Sequence, residues 1–476
     1  MKMKKKHEIR EEEVPEGGII MTEDMTRGKP LSLILGFCIP MVFGNILQQL
    51  YNMADTIIVG RCINSDALAA LGATGSVCFL VIGFATGLCT GLSIPVAQMY
   101  GAGDLKAMRR YMINAVYISA IVTVLLTLLT TTLCRPLLQL MQTPDSIIDD
   151  AYRYLFVMFA GLAATILYNL LAGFLRAMGD SKTPLVFLAI SSVLNIGLDF
   201  LMIMAFDMGV MGAGLATIIS QAISGILCLY YMTKHFDILA FEQDEFAFRS
   251  DYCKKLCSIS LPMACQFSIT AIGSIIIQSA VNSFGPAVIA SVTAATKIQT
   301  IVFGPMESLG ITMATYCGQN LGAGRIDRIR QGLRCSIRVC LIYTLFAIAF
   351  SIFLGRFLVY GFVSTQEADF AAILDHASYY LRVNALFYPT LAILFVLRNS
   401  LQGMGYSFLP MSAGILELAA RVFSAWVLVN ALGYFGVCLA SPVAWIAADI
   451  LLVSATFYAL ATLPRKLPER VNAVTT

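Results

Sequence analysis

The chain has 476 residues, of which 58% are hydrophobic and 13% are charged, and its formal net charge is +3. Soluble domains carry about 25% charged residues, so this composition excludes an ordinary soluble protein and indicates one that lies in a lipid bilayer. The basic residues are spread over the connecting segments without forming a patch, which argues against a nucleic-acid partner.

Apolar runs long enough to cross about 30 Å of hydrocarbon follow one another along the chain. Prolines inside some of these runs, such as Pro40 and Pro389, predict kinks. The sequence therefore predicts an all-α polytopic membrane protein. Its twelve predicted transmembrane helices are 31–59, 67–99, 111–134, 151–175, 183–205, 209–233, 256–283, 287–317, 335–363, 378–401, 409–432 and 436–462.

An internal repeat divides the chain into two halves. Gly101-Ala102-Gly103, preceded by Gln98, recurs as Gly322-Ala323-Gly324, preceded by Gln319. Each half holds six spans, an even number, so both halves enter the membrane from the same side. The repeat is therefore parallel, with a pseudo-two-fold axis along the membrane normal and a cleft between two six-helix lobes.

Charge and repeat together predict the topology. Most of the 32 Lys and Arg residues fall on connections that share a side with the N-terminus, so both termini are expected to be cytoplasmic in a multi-pass protein of the plasma membrane. The start of the chain has no apolar region before a cleavage site, so no removable signal peptide is expected. The predicted units are a tail (1–30), an N-lobe (31–234), a linker that lets the lobes rock (235–254), a C-lobe (255–463) and a tail (464–476).

The sequence predicts no bound cofactor. The thirteen cysteines form no CxxC pair and lie mostly in apolar spans, so neither a disulfide framework nor a zinc site is expected. The three histidines, at positions 7, 235 and 376, lie outside the spans, which argues against haem ligation or an imidazole proton relay in the membrane.

Acidic side chains inside spans are costly and are functional candidates by default. Gln48, Tyr51, Asn52 and Asp55 share one face of the first predicted helix. This polar stripe leads to an acid near the outer end of that helix, and Gln48, Tyr51 and Asn52 are predicted to line a substrate cavity. The structural alternative is that Asp55 only forms a hydrogen bond near the helix end.

A second acid is predicted to lie at the same depth as Asp55. Asn195 and Asp199 are four residues apart on the fifth helix, and a rise of 1.5 Å per residue places Asp199 level with Asp55, and Thr217 level with Asn195. These four oxygen-bearing side chains suit a small cation, or the two carboxylates share one proton. We therefore predict a cation site, although Asn195 and Thr217 could also serve helix packing alone.

The second half does not repeat this set, so coupling to a cation should be asymmetric. Its own charges inside the spans include Glu307, for which the helical neighbours supply no partner, and the i,i+4 pair Glu417 and Arg421. Glu307 is predicted to face the cavity, whereas the pair is either a structural ion pair or part of substrate sensing. The positions that match the four site residues are Ile277, Arg421, Ala425 and Ala444, and the other charges are Lys297, Arg398 and Asp449.

Motifs along the chain resemble the multidrug and toxic compound extrusion (MATE) family over about residues 25–463. They are Pro40, Asn45, Gln48 to Tyr51, Met53-Ala54-Asp55-Thr56, Val59-Gly60, both Gly-Ala-Gly motifs and Arg176-Ala177-Met178-Gly179-Asp180. The resemblance implies a V-shaped pair of lobes that works by alternating access. It also implies export of organic, often cationic, compounds in exchange for Na⁺ or H⁺, by a protein expected to be a monomer.

The resemblance carries over to individual positions. Asp55 matches the family's acid on the first helix, and Asn195, Asp199 and Thr217 match the N-lobe cation site of one branch. Gln48, Tyr51 and Asn169 match residues that line that branch's cavity. The acids that another branch carries on helices 7 and 10 are absent here, with Thr270 and Leu391 near those places.

Two other functions remain open from the sequence. A flippase for a lipid-linked saccharide would need a markedly cationic cavity, for which Lys297, Arg398 and Arg421 are available. A membrane-embedded enzyme acting on lipid phosphates would need clustered acids for a metal, and Asp149-Asp150 is the acidic doublet in its region.

Overall fold

The computed structural model describes residues 23–361 and 369–475. Residues 1–22 of the predicted tail 1–30, residues 362–368 and residue 476 lie outside the described residues. The helices are α1 (Pro30–Cys62), α2 (Ser65–Ala102), α3 (Leu105–Leu140), α4 (Ile148–Ala160), α5 (Leu162–Ala177), α6 (Lys182–Phe200), α7 (Gly209–His235), α8 (Ser250–Asn282), α9 (Pro286–Gly322), α10 (Ile326–Phe353), α11 (Gly355–Val359), α12 (Phe370–Ala385), α13 (Tyr388–Gly403), α14 (Phe408–Phe423), α15 (Val429–Leu432) and α16 (Tyr434–Thr475). Within these ranges, ten helical segments are long and apolar enough to cross a membrane, and two bent pairs bring the number of spans to twelve.

The fourth and tenth spans are not single straight helices. The fourth bends by 46° between α4 and α5, and the tenth bends by 54° between α12 and α13. Pro389 lies in the first turn of α13, where its missing N–H costs no hydrogen bond, so the predicted kink falls at this break. The bend at Gly161 was not predicted, and it places this residue so close to the Ile218 side chain that a Cβ would clash at 2.5 Å.

Both Gly-Ala-Gly motifs end long helices, as the sequence suggests. Gly103 follows α2 with a φ of 73°, and Gly324 follows α9 with a φ of 69°. Just before these turns α2 and α9 cross in backbone contact, since a Cβ on Gly101 would overlap the Gln319 carbonyl and one on Gly322 would overlap the Gln98 carbonyl. We call the end of the bundle that holds these two turns the basic end.

The lobes exchange helix ends near the basic end. Ile34, Phe37 and Cys38 of α1 pack in the core of the second half, with residues such as Met306 and Met313. In the same way, Leu256 and Ala264 of α8 pack in the core of the first half. Each exchanged helix therefore touches both lobes.

The linker is folded against the first lobe. It forms two short 3₁₀ turns, Asp237–Leu239 and Gln243–Phe246, and its acids pair with the first turns of α3. Arg109 donates to both carboxylate oxygens of the buried Glu245 at 2.7 Å, which lowers the pKa of that carboxyl below its ordinary value. These contacts make this segment a docked part of the first lobe.

Candidate functional site

A central cavity of about 760 Å³ lies between the two halves. Of the residues predicted to line it, Gln48, Tyr51, Asn169 and Glu307 do so. Asn52 does not: it is exposed and absent from the cavity wall, because it falls at the margin of the helical stripe centred on Gln48, Tyr51 and Asp55.

The cavity is closed at the basic end by a symmetric pair of hydrogen bonds. Gln98 Nε2 donates to the Gly403 carbonyl at 2.9 Å, and Gln319 Nε2 donates to the Ala177 carbonyl at 2.9 Å. The internal repeat relates the two glutamines to each other and the two acceptors to each other. The closure therefore follows the pseudo-two-fold axis.

The two predicted N-lobe acids meet just beyond the cavity wall. Asp55 is 9% exposed and Asp199 is fully buried, and their carboxyl groups lie within hydrogen-bonding reach of each other. In each residue Oδ1 is buried and has no hydrogen-bond partner. Two carboxylates cannot both stay charged at this distance without a counter-ion, so the pair must hold a proton or a cation.

Asn195 and Thr217 complete this cluster. With its nitrogen turned toward Asp199 Oδ2 at 3.3 Å, the Asn195 amide accepts a hydrogen bond from the Thr217 backbone N–H at 3.2 Å. The Tyr51 hydroxyl lies within hydrogen-bonding reach of the Thr217 side chain. The four predicted ligands thus come together from three helices, α1, α6 and α7. Their unpaired oxygens are of the hard type that binds Na⁺ or a proton.

Glu307 stands apart from this cluster on α9. Its side chain is exposed within the cavity, and the described residues contain no ion-pair partner for it. An acid on the wall of a cavity that also has apolar and aromatic side chains can hold a cationic group of a ligand.

The C-lobe side of the cavity carries a buried three-residue charge cluster. Arg398 Nη2 donates to Glu417 Oε2 and Arg421 Nη2 donates to Glu417 Oε1, both at 2.7 Å. Arg421 also donates to the Thr270 carbonyl at 3.2 Å. The predicted pairing of Glu417 with Arg421 is confirmed, whereas the attachment of Arg398 to the same carboxylate was not predicted. The signal available was the need of every charge inside a span for a partner.

The remaining charge candidates lie elsewhere. Lys297 is exposed and does not line the cavity. Asp449 lies near Arg398, behind the wall, and its Oδ1 has no hydrogen-bond partner. Neither residue therefore adds a free charge to the cavity surface.

Comparison with known proteins identifies the family. The MatE family profile matches residues 40–201 and 262–427, which is one match in each half. The chain belongs to the MatE family. This is the multidrug and toxic compound extrusion family that the motifs resemble, and its members are membrane transporters and not enzymes.

Several MatE relatives match over most of their length. The chain is 31% identical to the probable multidrug resistance protein YpnP of Bacillus subtilis, over 85% of this chain and 88% of the relative. It is 26% identical to the probable multidrug resistance protein NorM of Thermotoga maritima, over 88% and 90%. A solved MOP superfamily transporter from Pyrococcus furiosus superposes with a TM-score of 0.87 at 23% identity, over 93% of this chain and 98% of that one, and shows the shared two-lobe fold.

Proposed function

We propose that this chain is a secondary transporter that exports amphiphilic, often cationic, organic compounds in exchange for H⁺ or Na⁺ by alternating access. The observation that carries the proposal is the buried pair of Asp55 and Asp199, whose unpaired oxygens adjoin a cavity between two lobes. A carboxyl pair of this kind changes its net charge when it takes up or releases a cation, and this change is what coupling requires.

The cavity supports the proposed substrate class. Phe267, Phe303, Met41 and Met263 line it, and flexible Met with aromatic side chains can repack around different apolar shapes. Glu307 adds one negative charge to this surface. Several relatives carry the name multidrug resistance protein, which fits such a cavity.

The positive-inside rule orients the transporter. It assigns the basic end, and with it both termini, to the cytoplasm. The cavity, closed at the basic end by Gln98 and Gln319, then faces away from the cytoplasm. We further propose that the protein acts as a monomer in the plasma membrane, because one chain supplies the whole cavity.

The test uses sealed proteoliposomes that contain the purified protein and a fluorescent cationic substrate, with Na⁺ and pH gradients imposed separately. Asp55→Asn and Asp199→Asn should fold, shown by an unchanged elution profile in detergent, and should lose ion-driven export. Asp149→Asn, which removes an exposed acid that pairs with Arg135, is the matched control and should export normally. Normal export by both site variants would refute the proposal.

The two other functions receive less support. A flippase needs a markedly cationic cavity, but Arg398 and Arg421 are both held by Glu417, which leaves Arg176 as the cavity-lining arginine without an ion pair among the described residues. A metal-dependent lipid-phosphate enzyme needs clustered ligands, and the described residues contain no group of three or more His, Cys, Asp or Glu that could hold a metal. Of the doublet Asp149-Asp150, Asp149 pairs with Arg135 at the surface.

A further inference from the structure

Equivalent surfaces of the two lobes differ at the basic end. In the first lobe the linker covers the first turns of α3: Asp244 pairs with Lys106 at 3.0 Å and with Arg110 at 2.8 Å, and the Tyr117 hydroxyl donates to the Phe246 carbonyl at 2.8 Å. The repeat makes α10 the counterpart of α3. On α10, the segment before α1 contacts the first turn, where Arg325 donates to the Thr26 carbonyl at 2.8 Å and Arg328 donates to the Gly28 carbonyl at 2.9 Å, whereas Arg330, Arg334 and Arg338 further along the helix are exposed.

The uncovered side of α10 borders a groove of about 610 Å³, formed with α13 and α16. Leu333, Leu397, Val453 and Phe457 give it an apolar lining, and Arg330 and Arg334 lie at its basic end. From Arg330 to Ile337 the groove follows α10 for about 10 Å, or roughly two turns. A groove of this kind is apolar toward the membrane interior and cationic toward the membrane surface.

Three arginines of this groove and its border have no acidic partner among the side chains that the structure describes. Arg330, Arg334 and Arg338 are exposed and spaced four residues apart, so they lie on one face of α10. Arg330 donates to the Leu460 carbonyl at 3.1 Å, and none of the three has a carboxylate at ion-pair distance among the side chains of residues 23–361 and 369–464. In the first lobe the repeat places Ile113 and Tyr117 where α10 carries Arg334 and Arg338.

We propose that this groove binds an anionic phospholipid. Arg330 and Arg334 hold the headgroup phosphate, and one acyl chain lies along Leu333, Leu397 and Val453. The helices around the groove face the bilayer, so lipid is the molecule always at hand, and basic pockets between transmembrane helices on the cytoplasmic side suit anionic headgroups. A zwitterionic lipid such as phosphatidylcholine also carries a phosphate, but its choline cation offsets that charge beside the two guanidinium groups, so a lipid with a net negative charge is favoured.

The test is native mass spectrometry of the full chain in detergent, titrated with phosphatidylglycerol or with phosphatidylcholine of the same acyl chains. The wild type should bind one phosphatidylglycerol at least tenfold more tightly than phosphatidylcholine. Arg330→Gln with Arg334→Gln should weaken phosphatidylglycerol binding by roughly 30-fold, since each basic side chain near the surface contributes about a factor of five toward a net anionic lipid. Binding of phosphatidylcholine, whose choline cation offsets its phosphate, should weaken much less. Both arginines are exposed, so an unchanged melting temperature verifies folding.

Two further variants separate charge from shape. Arg135→Gln with Arg356→Gln removes two exposed arginines from ion pairs elsewhere and should bind phosphatidylglycerol like the wild type. Ala461→Phe places a large side chain in the groove without changing its charge and should weaken binding of both lipids.

Three results would overturn the proposal. The first is equal phosphatidylglycerol binding by the wild type and the Arg330/Arg334 double variant. The second is displacement of the lipid by an equal concentration of glycerol 3-phosphate, because the ligand would then be a free phosphate. The third is a protein dimer in the wild type that the double variant loses, because a second copy of the chain would then occupy the groove.

Discussion

Replacing Glu417 with Gln should destabilise the protein strongly, although a single charge changes. The substitution removes the carboxylate to which Arg398 and Arg421 both donate at 2.7 Å, and each arginine is only 7% exposed. Breaking a buried ion pair from one side costs about 3–5 kcal/mol, because the other charge stays buried and unpaired. Asp449 lies near Arg398 and the cavity borders both arginines, so we expect the lower end of this range, about 3 kcal/mol.

Thermal unfolding in detergent measures this cost. For a large chain, about 2 °C of melting temperature corresponds to 1 kcal/mol, so Glu417→Gln should melt about 6 °C below the wild type. Replacing the whole cluster, with Arg398→Met, Glu417→Leu and Arg421→Met together, should recover most of that loss because no charge is left unpaired. Glu242→Gln, which breaks an exposed pair with Lys106, is the control and should change the melting temperature little.

A Glu417→Gln protein as stable as the wild type would refute the structural role of the cluster. The triple variant then separates the two functions that the sequence left open for Glu417 and Arg421. If it folds and exports normally, the cluster serves stability alone. If it folds but exports poorly, with a raised KM for the substrate, the charges also contact the transported compound.

Three further predictions concern the basic end. Gln98→Ala with Gln319→Ala removes the two hydrogen bonds of the closure, worth about 1 kcal/mol each, and also the bond that Gln319 Oε1 accepts from the Met25 N–H. The loss of the two closure bonds should shift the equilibrium toward opening at that end by roughly 30-fold, measured as longer spin-label distances across the closure. Gly101→Ala should abolish the closed state in the same measurement, because its Cβ overlaps a backbone carbonyl, whereas Gly72→Ala on the same helix has open space and should behave like the wild type. The Arg109 partner lowers the pKa of Glu245, so the contribution of this ion pair to stability is present above the ordinary pKa of 4.5 and is lost as the pH falls below that value. Glu245→Gln should therefore flatten the acidic part of a plot of melting temperature against pH.

The sequence predicted the N-lobe acids well because helical geometry is regular. A rise of 1.5 Å per residue was enough to place Asp55 and Asp199 at one depth, and the structure brings their carboxyl groups together. The same regularity places Glu417 one turn before Arg421. The depth of a residue along one helix, or the relative depth of residues on two helices with known ends, can therefore be predicted without knowing how the helices pack.

The remaining features depend on contacts between distant segments. The bend at Gly161 occurs where the Ile218 side chain, from another helix, approaches the backbone. The attachment of Arg398 to Glu417 joins two helices, and the docking of Glu245 on Arg109 joins residues 136 positions apart. The prediction that Asn52 lines the cavity was wrong. Asn52 follows Gln48 by four residues, but a helical turn has only about 3.6, and this difference moves the Asn52 side chain to the margin of the cavity wall.

The course of α1 connects the proposed ion site to the closure at the basic end. Its first turns pack in the second lobe through Ile34 and Phe37, whereas Asp55, about 30 Å further along, meets Asp199 of the first lobe. Pro40 lies between these two regions and removes one backbone hydrogen bond, so the helix bends most easily there. In the proposed coupling, protonation of the carboxyl pair, or binding of Na⁺ to it, would change the forces at one end of a helix whose other end is held by the opposite lobe. Movement of α1 about Pro40 would then alter the packing between the lobes, which is the step that alternating access requires.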